Sequence, residues 1–322
     1  MSQAANDRGT GRAPTSPIAI GVVGVGKIAR DQHLPALAAS DAFVLTAVAD
    51  RHGGVEGVPS FGTVEAMLAD GPPIDAVSIC TPPGGRDAIA AAAIAAGKHV
   101  MLEKPPGVTL GEIRALERAA RNLGISLYAS WHSREAAAVG AARDWLVGRT
   151  IQSASITWRE DIRQWHPGQE WILAADGFGV FDPGINALSI ATAILPGDLA
   201  VRSARLDIPG NRQAPIAADI RMALGAAPVT MTLDFMQTGQ QTWEIAVVTG
   251  TGTMTLSSGG ARLTIDGCVV EVPPGDGEYP ALYRNFANLI RRRRSDVDLT
   301  PLELVADAFL VGDRRTVPPF DF

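Results

Sequence analysis

An apolar strand runs straight into a glycine turn at Ile20-Gly21-Val22-Val23-Gly24-Val25-Gly26-Lys27-Ile28-Ala29. A GxGxxA turn at such a junction is built to hold a pyrophosphate. Gly24 permits the tight turn, Gly26 lets the backbone approach the phosphates, and Ala29 lets the next helix lie close to the sheet. The N-terminus of that helix then faces the anion. Lys27 and Ile28, in its first turn, join Gly24 and Gly26 as candidate cofactor contacts.

From Ile18 to about Tyr128, short β-branched runs alternate with alanine-rich helical stretches, the pattern of βαβ units around a parallel sheet. Strands are predicted near 18–23, 43–49, 76–80, 99–102 and 125–129. The helix over 109–122 opens on Thr109 with Glu112 three residues on, the spacing of a capping box, and ends near Gly124. After about Ser133 the pattern changes. A helix near 134–147 is followed by strands of period-two alternation from Ser153 to about 272, separated by Gly-rich turns such as Asp266-Gly267. Helices near 183–194, 280–292 and 301–312 are expected to cover one face of that sheet. The fold class is therefore α/β: a Rossmann dinucleotide-binding domain over 18–133 and an α+β domain over 134–322 with a mostly antiparallel open sheet. Residues 1–17, rich in Ala, Gly, Pro, Ser, Thr and Asn, read as a disordered tail.

The chain of 322 residues is long enough for two cores, and its net charge of -6 gives no reason to expect nucleic acid or an anionic membrane as partner. No apolar run approaches the ~20 residues of a spanning helix, so a cytoplasmic protein is the expectation. The two cysteines, Cys80 and Cys268, make neither a disulfide framework nor a zinc site and read as core residues. No metal is expected, because the five histidines form no HxxxH cluster. Arg291 to Arg294 read as a solvated helix end that complements the dipole.

Other polar residues sit where strands end. The run Ala76 to Cys80 meets Thr81-Pro82-Pro83, and His99 to Leu102 meets Glu103-Lys104-Pro105. Ligands of open parallel sheets bind outside the carboxyl ends of the strands, so Thr81, Pro82, Pro83, Glu103 and Lys104 should gather at the edge that carries Gly24 and Gly26. Asp50, at the end of the second strand, stands where an acid accepts hydrogen bonds from the adenosine ribose and repels a 2′-phosphate, which favours NAD. Arg51 and His52 beside it could attract that phosphate, so NADP stays open.

GxGxxA, a strand ending in Thr81-Pro82-Pro83, and Glu103-Lys104-Pro105 together resemble the glucose–fructose oxidoreductase, inositol dehydrogenase and MocA family. The stretches Gly26 to Pro35, His99 to Pro106, Trp165-His166-Pro167-Gly168-Gln169 and Phe181 to Ser189 resemble the branch of it that oxidises galactose and arabinose at C1. The resemblance implies an NAD(P)-dependent aldose 1-dehydrogenase that turns D-galactose or L-arabinose into an aldonolactone. It also implies Lys104 at the nicotinamide end, with Lys104–Pro105 a candidate cis bond, and a homo-oligomer formed through the open face of the second sheet. Family members that act on another polyol or a dihydrodiol, or that sense a dinucleotide without turnover, are the alternatives.

Asp182 and Asn186 lie four apart, and with Pro183 as the first helical residue both project on one side of a helix start that should face Lys104. Many relatives carry a histidine base where this chain has Asn186, which cannot accept a proton at ordinary pH. The base is then Lys104 or Asp182, and the sequence does not choose. Glu160, Trp165, His166 and Trp171 form a polar and aromatic group suited to a monosaccharide, with His132 and Trp131 as weaker candidates.

Overall fold

The computed structural model describes residues 16–322; the predicted tail falls almost wholly on residues 1–15, outside the described residues. The first sheet is parallel, with strands β1 (Ile18–Val23), β2 (Phe43–Ala49), β3 (Ser60–Phe61), β4 (Ala76–Ile79), β5 (His99–Glu103) and β6 (Leu127–Ser130) in the order β3-β2-β1-β4-β5-β6. Its helices are α1 (Leu34–Ala38), α2 (Val64–Asp70), α3 (Arg86–Ala95) and α4 (Leu110–Leu123). The order reverses between β1 and β4, which opens a crevice at their carboxyl ends. Local chemistry sets the helix ends. Glu112 N–H donates to Thr109 Oγ1 at 3.3 Å and Thr109 N–H to Glu112 Oε2 at 3.2 Å, while Gly124 closes α4 in the left-handed conformation.

The second sheet has nine strands: β7 (Ile151–Arg159), β8 (Leu199–Pro209), β9 (Ala217–Leu224), β10 (Ala227–Asp234), β11 (Thr242–Thr249), β12 (Gly252–Ser257), β13 (Arg262–Ile265), β14 (Cys268–Val270) and β15 (Gly312–Val317). It is mostly antiparallel, but β7 runs parallel to β10 and β8 parallel to β15. Along β10 the residues Val229, Met231 and Leu233 point into the core, while Pro228 and Thr230 face out. One face is thus covered and the other polar, as in an antiparallel sheet solvated on one side.

The helices of the second half are α5 (Val139–Leu146), α6 (Ile162–Trp165), α7 (Phe181–Ile194), α8 (Glu278–Arg292) and α9 (Thr300–Val311). α5, α7 and α9 lie on the covered face of the nine-stranded sheet. Contrary to expectation, α8 does not. Its Tyr279, Leu282, Tyr283 and Phe286 pack with Ile20, Val22 and Phe43 of the first sheet. The following segment stays there, since Ala129 N–H donates to the Asp296 carbonyl at 2.9 Å and Asp296 N–H to the Leu127 carbonyl at 3.0 Å. Cys80 is buried as expected, but Cys268 is exposed, because β14 is an edge strand.

Candidate active site

Gly24 directly follows β1 with φ of +86°, and a Cβ there would stand 2.8 Å from the Thr81 backbone nitrogen. The turns after β1 and β4 therefore touch. A Cβ at Gly26 would meet nothing within 4 Å, so open space lies in front of that backbone. Lys27 is exposed and pairs with Asp31 one turn on. Asp50 Oδ2 accepts the Val25 N–H and Oδ1 the His52 N–H, each at 2.7 Å, which ties the end of β2 to the glycine turn. Burial works against this carboxylate, yet the N–H groups of Val25, His52 and Gly53 hold its pKa below the usual range. Arg51 and His52 are exposed beside it.

Among the described residues Thr81 Oγ1 is buried without a hydrogen-bond partner, at the crevice where the strand order reverses. An unmet hydroxyl there, with the open approach at Gly26, fits a dinucleotide. The buried Arg86 fastens the loop after β4 to the loop after β5: its Nε donates to the Thr81 carbonyl at 3.1 Å, and its guanidinium also meets the Glu103 and Pro105 carbonyls. Burial pushes Arg86 down to about 10, so it stays charged near neutrality.

Glu103 turns its carboxylate inward, where His33 and Tyr279 meet it. Lys104 points the other way. The Lys104–Pro105 bond is cis. Lys104 Nζ lies 3.2 Å from Asp182 Oδ2 and donates to the Asp182 carbonyl at 3.0 Å. Helix α7 starts at Phe181 rather than at Pro183, so Asp182 lies inside the first turn and does not cap the helix.

A cavity of about 660 Å³ opens above this pair. Lys104, His132, Glu160, Trp165, His166, Asp182 and Asn186 all line it, with Ile28 from the turn after β1. Glu160 is buried; its Oε2 accepts the Trp243 indole N–H at 2.9 Å and its Oε1 lies 3.2 Å from His166 Nε2. Trp165, 41% exposed, meets the Trp243 ring edge to face with centroids 5.1 Å apart. Trp171 and Trp131 do not line the cavity: Trp171 packs on the core and Trp131 is buried with its indole N–H on the Asp298 carbonyl. Gln32, which falls in the stretch Gly26 to Pro35, also lines the cavity, as do Trp158, Trp243 and Tyr279, to which no motif pointed.

The family model described as an oxidoreductase family with an NAD-binding Rossmann fold (GFO/IDH/MocA) matches residues 18–130. A galactose 1-dehydrogenase of Pseudomonas fluorescens is 48% identical over 306 residues, covering 94% of this chain and 99% of that protein. This chain belongs to the GFO/IDH/MocA oxidoreductase family. The crystal structure of a D-galactose-1-dehydrogenase from Rhizobium etli superposes with a TM-score of 0.91 at 54% identity, over 95% of this chain and 99% of that one. A 3-ketoreductase from Actinomadura kijaniata, solved in complex with TDP-benzene and NADP, shares the fold with a TM-score of 0.78 at 21% identity, over 94% and 100%. The chain is thus a homologue of galactose 1-dehydrogenase over nearly all of its 322 residues, within the GFO/IDH/MocA family. Among the described residues no helix is long and apolar enough to cross a membrane.

Proposed function

We propose that this chain oxidises C1 of a pyranose, D-galactose or L-arabinose, to the aldonolactone with NAD or NADP, in the cytoplasm. The observation that carries this is the Lys104–Asp182 pair at the edge of the cavity that Ile28 shares with Glu160, Trp165 and His166. The identity of about half the residues to galactose 1-dehydrogenases supports the same substrate class.

Gly24, Gly26, Lys27, Ile28, Asp50, Arg51, Thr81, Pro82 and Pro83 are proposed to hold the dinucleotide, with the nicotinamide end at Lys104. When bound, the nicotinamide accepts the hydride that leaves C1. Lys104 Nζ takes the proton from the C1 hydroxyl while the C1–O bond becomes a carbonyl, and passes one of its own protons to the Asp182 carboxylate beside it. Asp182 holds the Lys104 side chain against that oxygen. Asn186 orients the sugar through its amide, and Glu160, His166, His132 and the face of Trp165 bind its hydroxyls and C–H surface. Galactose and arabinose differ by one exocyclic hydroxymethyl group, and a cavity open at that position discriminates by only ~1–3 kcal/mol. Asp50 favours NAD, with Arg51 and His52 leaving NADP possible as an alternative. The polar outer face of the nine-stranded sheet is proposed as the contact of a homo-oligomer.

The test is absorbance at 340 nm with purified protein, each cofactor, and D-galactose, L-arabinose, D-glucose and D-xylose in turn. Reduction with galactose or arabinose is the expected result. Silence with all four while the cofactor binds would favour another polyol substrate or a dinucleotide sensor.

A further inference from the structure

Beneath Lys104 lies a group of polar side chains that the proposed reaction leaves unused. His33 is fully buried at the end of a π-helical stretch, Ala29–His33, in the helix that begins at the glycine turn. Its Nε2 is 3.2 Å from Glu103 Oε1, and its Nδ1 is 2.9 Å from the Tyr283 hydroxyl. Tyr279 donates to the same Glu103 oxygen at 2.7 Å, and the other Glu103 oxygen accepts the backbone N–H of Lys104. The Tyr283 hydroxyl also reaches Ser78 Oγ at 3.3 Å, and Ser78 Oγ lies 3.4 Å from His33 Nδ1. Burial pulls the ring toward neutrality, but the charges and hydrogen bonds around it hold its pKa well above 6.5, and it faces Glu103 as an imidazolium. Burial alone would raise Glu103, but His33 and the neighbouring positive groups hold it down at about 2.

A buried ion pair is weak evidence for stability, because well-packed apolar side chains often do as well. What this one has in particular is its placement. It joins the helix after β1, the ends of β4 and β5, and α8, and two of its members sit beside the cavity. One is Glu103, next to Lys104. The other is Tyr279, which lines the cavity wall and stacks on His132 with centroids 5.3 Å apart.

We propose that His33 and Glu103 are a positioning pair that sets Lys104 against Asp182, acting through the Lys104 backbone. This rests on the reading of Lys104 as the group that meets the reacting hydroxyl. With one oxygen held by His33 and Tyr279, the Glu103 carboxylate offers its second oxygen at a fixed place, and the Lys104 N–H follows it. The side chain then starts from a fixed Cα. A shift of an ångström in such a group costs on the order of 100-fold in rate.

The experiment compares wild type with Glu103→Gln, His33→Asn and Tyr279→Phe. Sugar-dependent reduction of NAD is measured per folded site, the sites being counted by NADH fluorescence titration. Glu103→Gln should lower kcat by about 10- to 100-fold while leaving the galactose KM and the NADH dissociation constant nearly unchanged, as outer partners of active groups do. Tyr279→Phe removes one donor and no charge, folds, and should lower kcat by a smaller factor. In a Lys104→Arg background, Glu103→Gln should add no further loss, since both act through one group. A readout free of turnover is the proton NMR of the His33 ring, which should titrate well above pH 6.5 in wild type and at distinctly lower pH in Glu103→Gln. Undiminished kcat per site in Glu103→Gln and Tyr279→Phe, with wild type active, would overturn the pair. A wild type silent with sugar would instead count against Lys104 as the reacting group.

Discussion

The Lys104 ammonium lies 3.2 Å from the Asp182 carboxylate, so the end of a strand in the first sheet meets the first turn of a helix under the second. Both side chains are largely buried, and each is the other's charged partner. Lys104→Ala should therefore lower kcat by about 10²- to 10⁴-fold, the usual contribution of a positioned acid–base group. NADH binding, read by its fluorescence, should persist. Lys104→Ala with wild-type kcat would remove the lysine from the chemistry.

Glu160 and Trp243 reach the same cavity from adjacent strand ends, and the indole N–H supplies one of the two side-chain partners of a buried carboxylate. Trp243→Phe keeps a ring but leaves Glu160 short of a donor. Losing one partner of a buried charged group costs on the order of 1–3 kcal/mol. The galactose KM should rise by about 10-fold with a smaller change in kcat. Steady-state kinetics across galactose concentrations checks this, and an unchanged KM would place the sugar elsewhere.

Asp50 uses both carboxylate oxygens on backbone N–H groups of Val25 and His52, and each oxygen retains lone-pair capacity for a ribose hydroxyl. Asp50→Asn removes the charge and one acceptor. The NAD dissociation constant should rise by about 10-fold or more, because hydrogen bonds to charged groups contribute roughly 1.5–3 kcal/mol. Binding of NADP should fall less, since the repulsion of its 2′-phosphate goes too. Calorimetric titration of Asp50→Asn with both nucleotides reads the ratio directly.

Much of this was legible from local patterns. The glycine turn, the Thr109–Glu112 box and the period-two runs each depend on neighbours within a few residues, so spacing alone carries them. Helix α8 shows what spacing cannot carry: an apolar stripe says that one face is buried, not which sheet buries it. Strand β15 was missed because Asp313-Arg314-Arg315 lacks alternation, as charged edge strands do. Pro183 tolerates any place in the first turn, whose N–H groups lack helical partners, so it did not fix where α7 begins. Trp243 and Tyr279 reach the site from distant segments and carry no motif. His33 left a signal, since Ala29, His33 and Leu37 recur every four residues on a buried face, which puts a histidine among core positions.

The His33–Glu103 pair gives stability a pH dependence of calculable sign. Burial pulls the His33 pKa down, but the charges and hydrogen bonds around it leave it well above 6.5, whereas Glu103 falls from 4.5 to about 2. A raised histidine stabilises the fold fully below its unfolded pKa and loses that contribution as pH rises through the folded value. A depressed carboxylate contributes fully above its unfolded pKa and loses it as pH falls toward the folded one. Both contributions are therefore complete between about pH 4.5 and 6.5. Melting temperatures of wild type and His33→Asn should differ most in that window, and the gap should narrow as pH rises toward 9 because wild type loses its advantage. For Glu103→Gln the gap should narrow toward pH 3 instead. Gaps that stay constant from pH 3 to 9 would mean that neither group changes its proton affinity on folding.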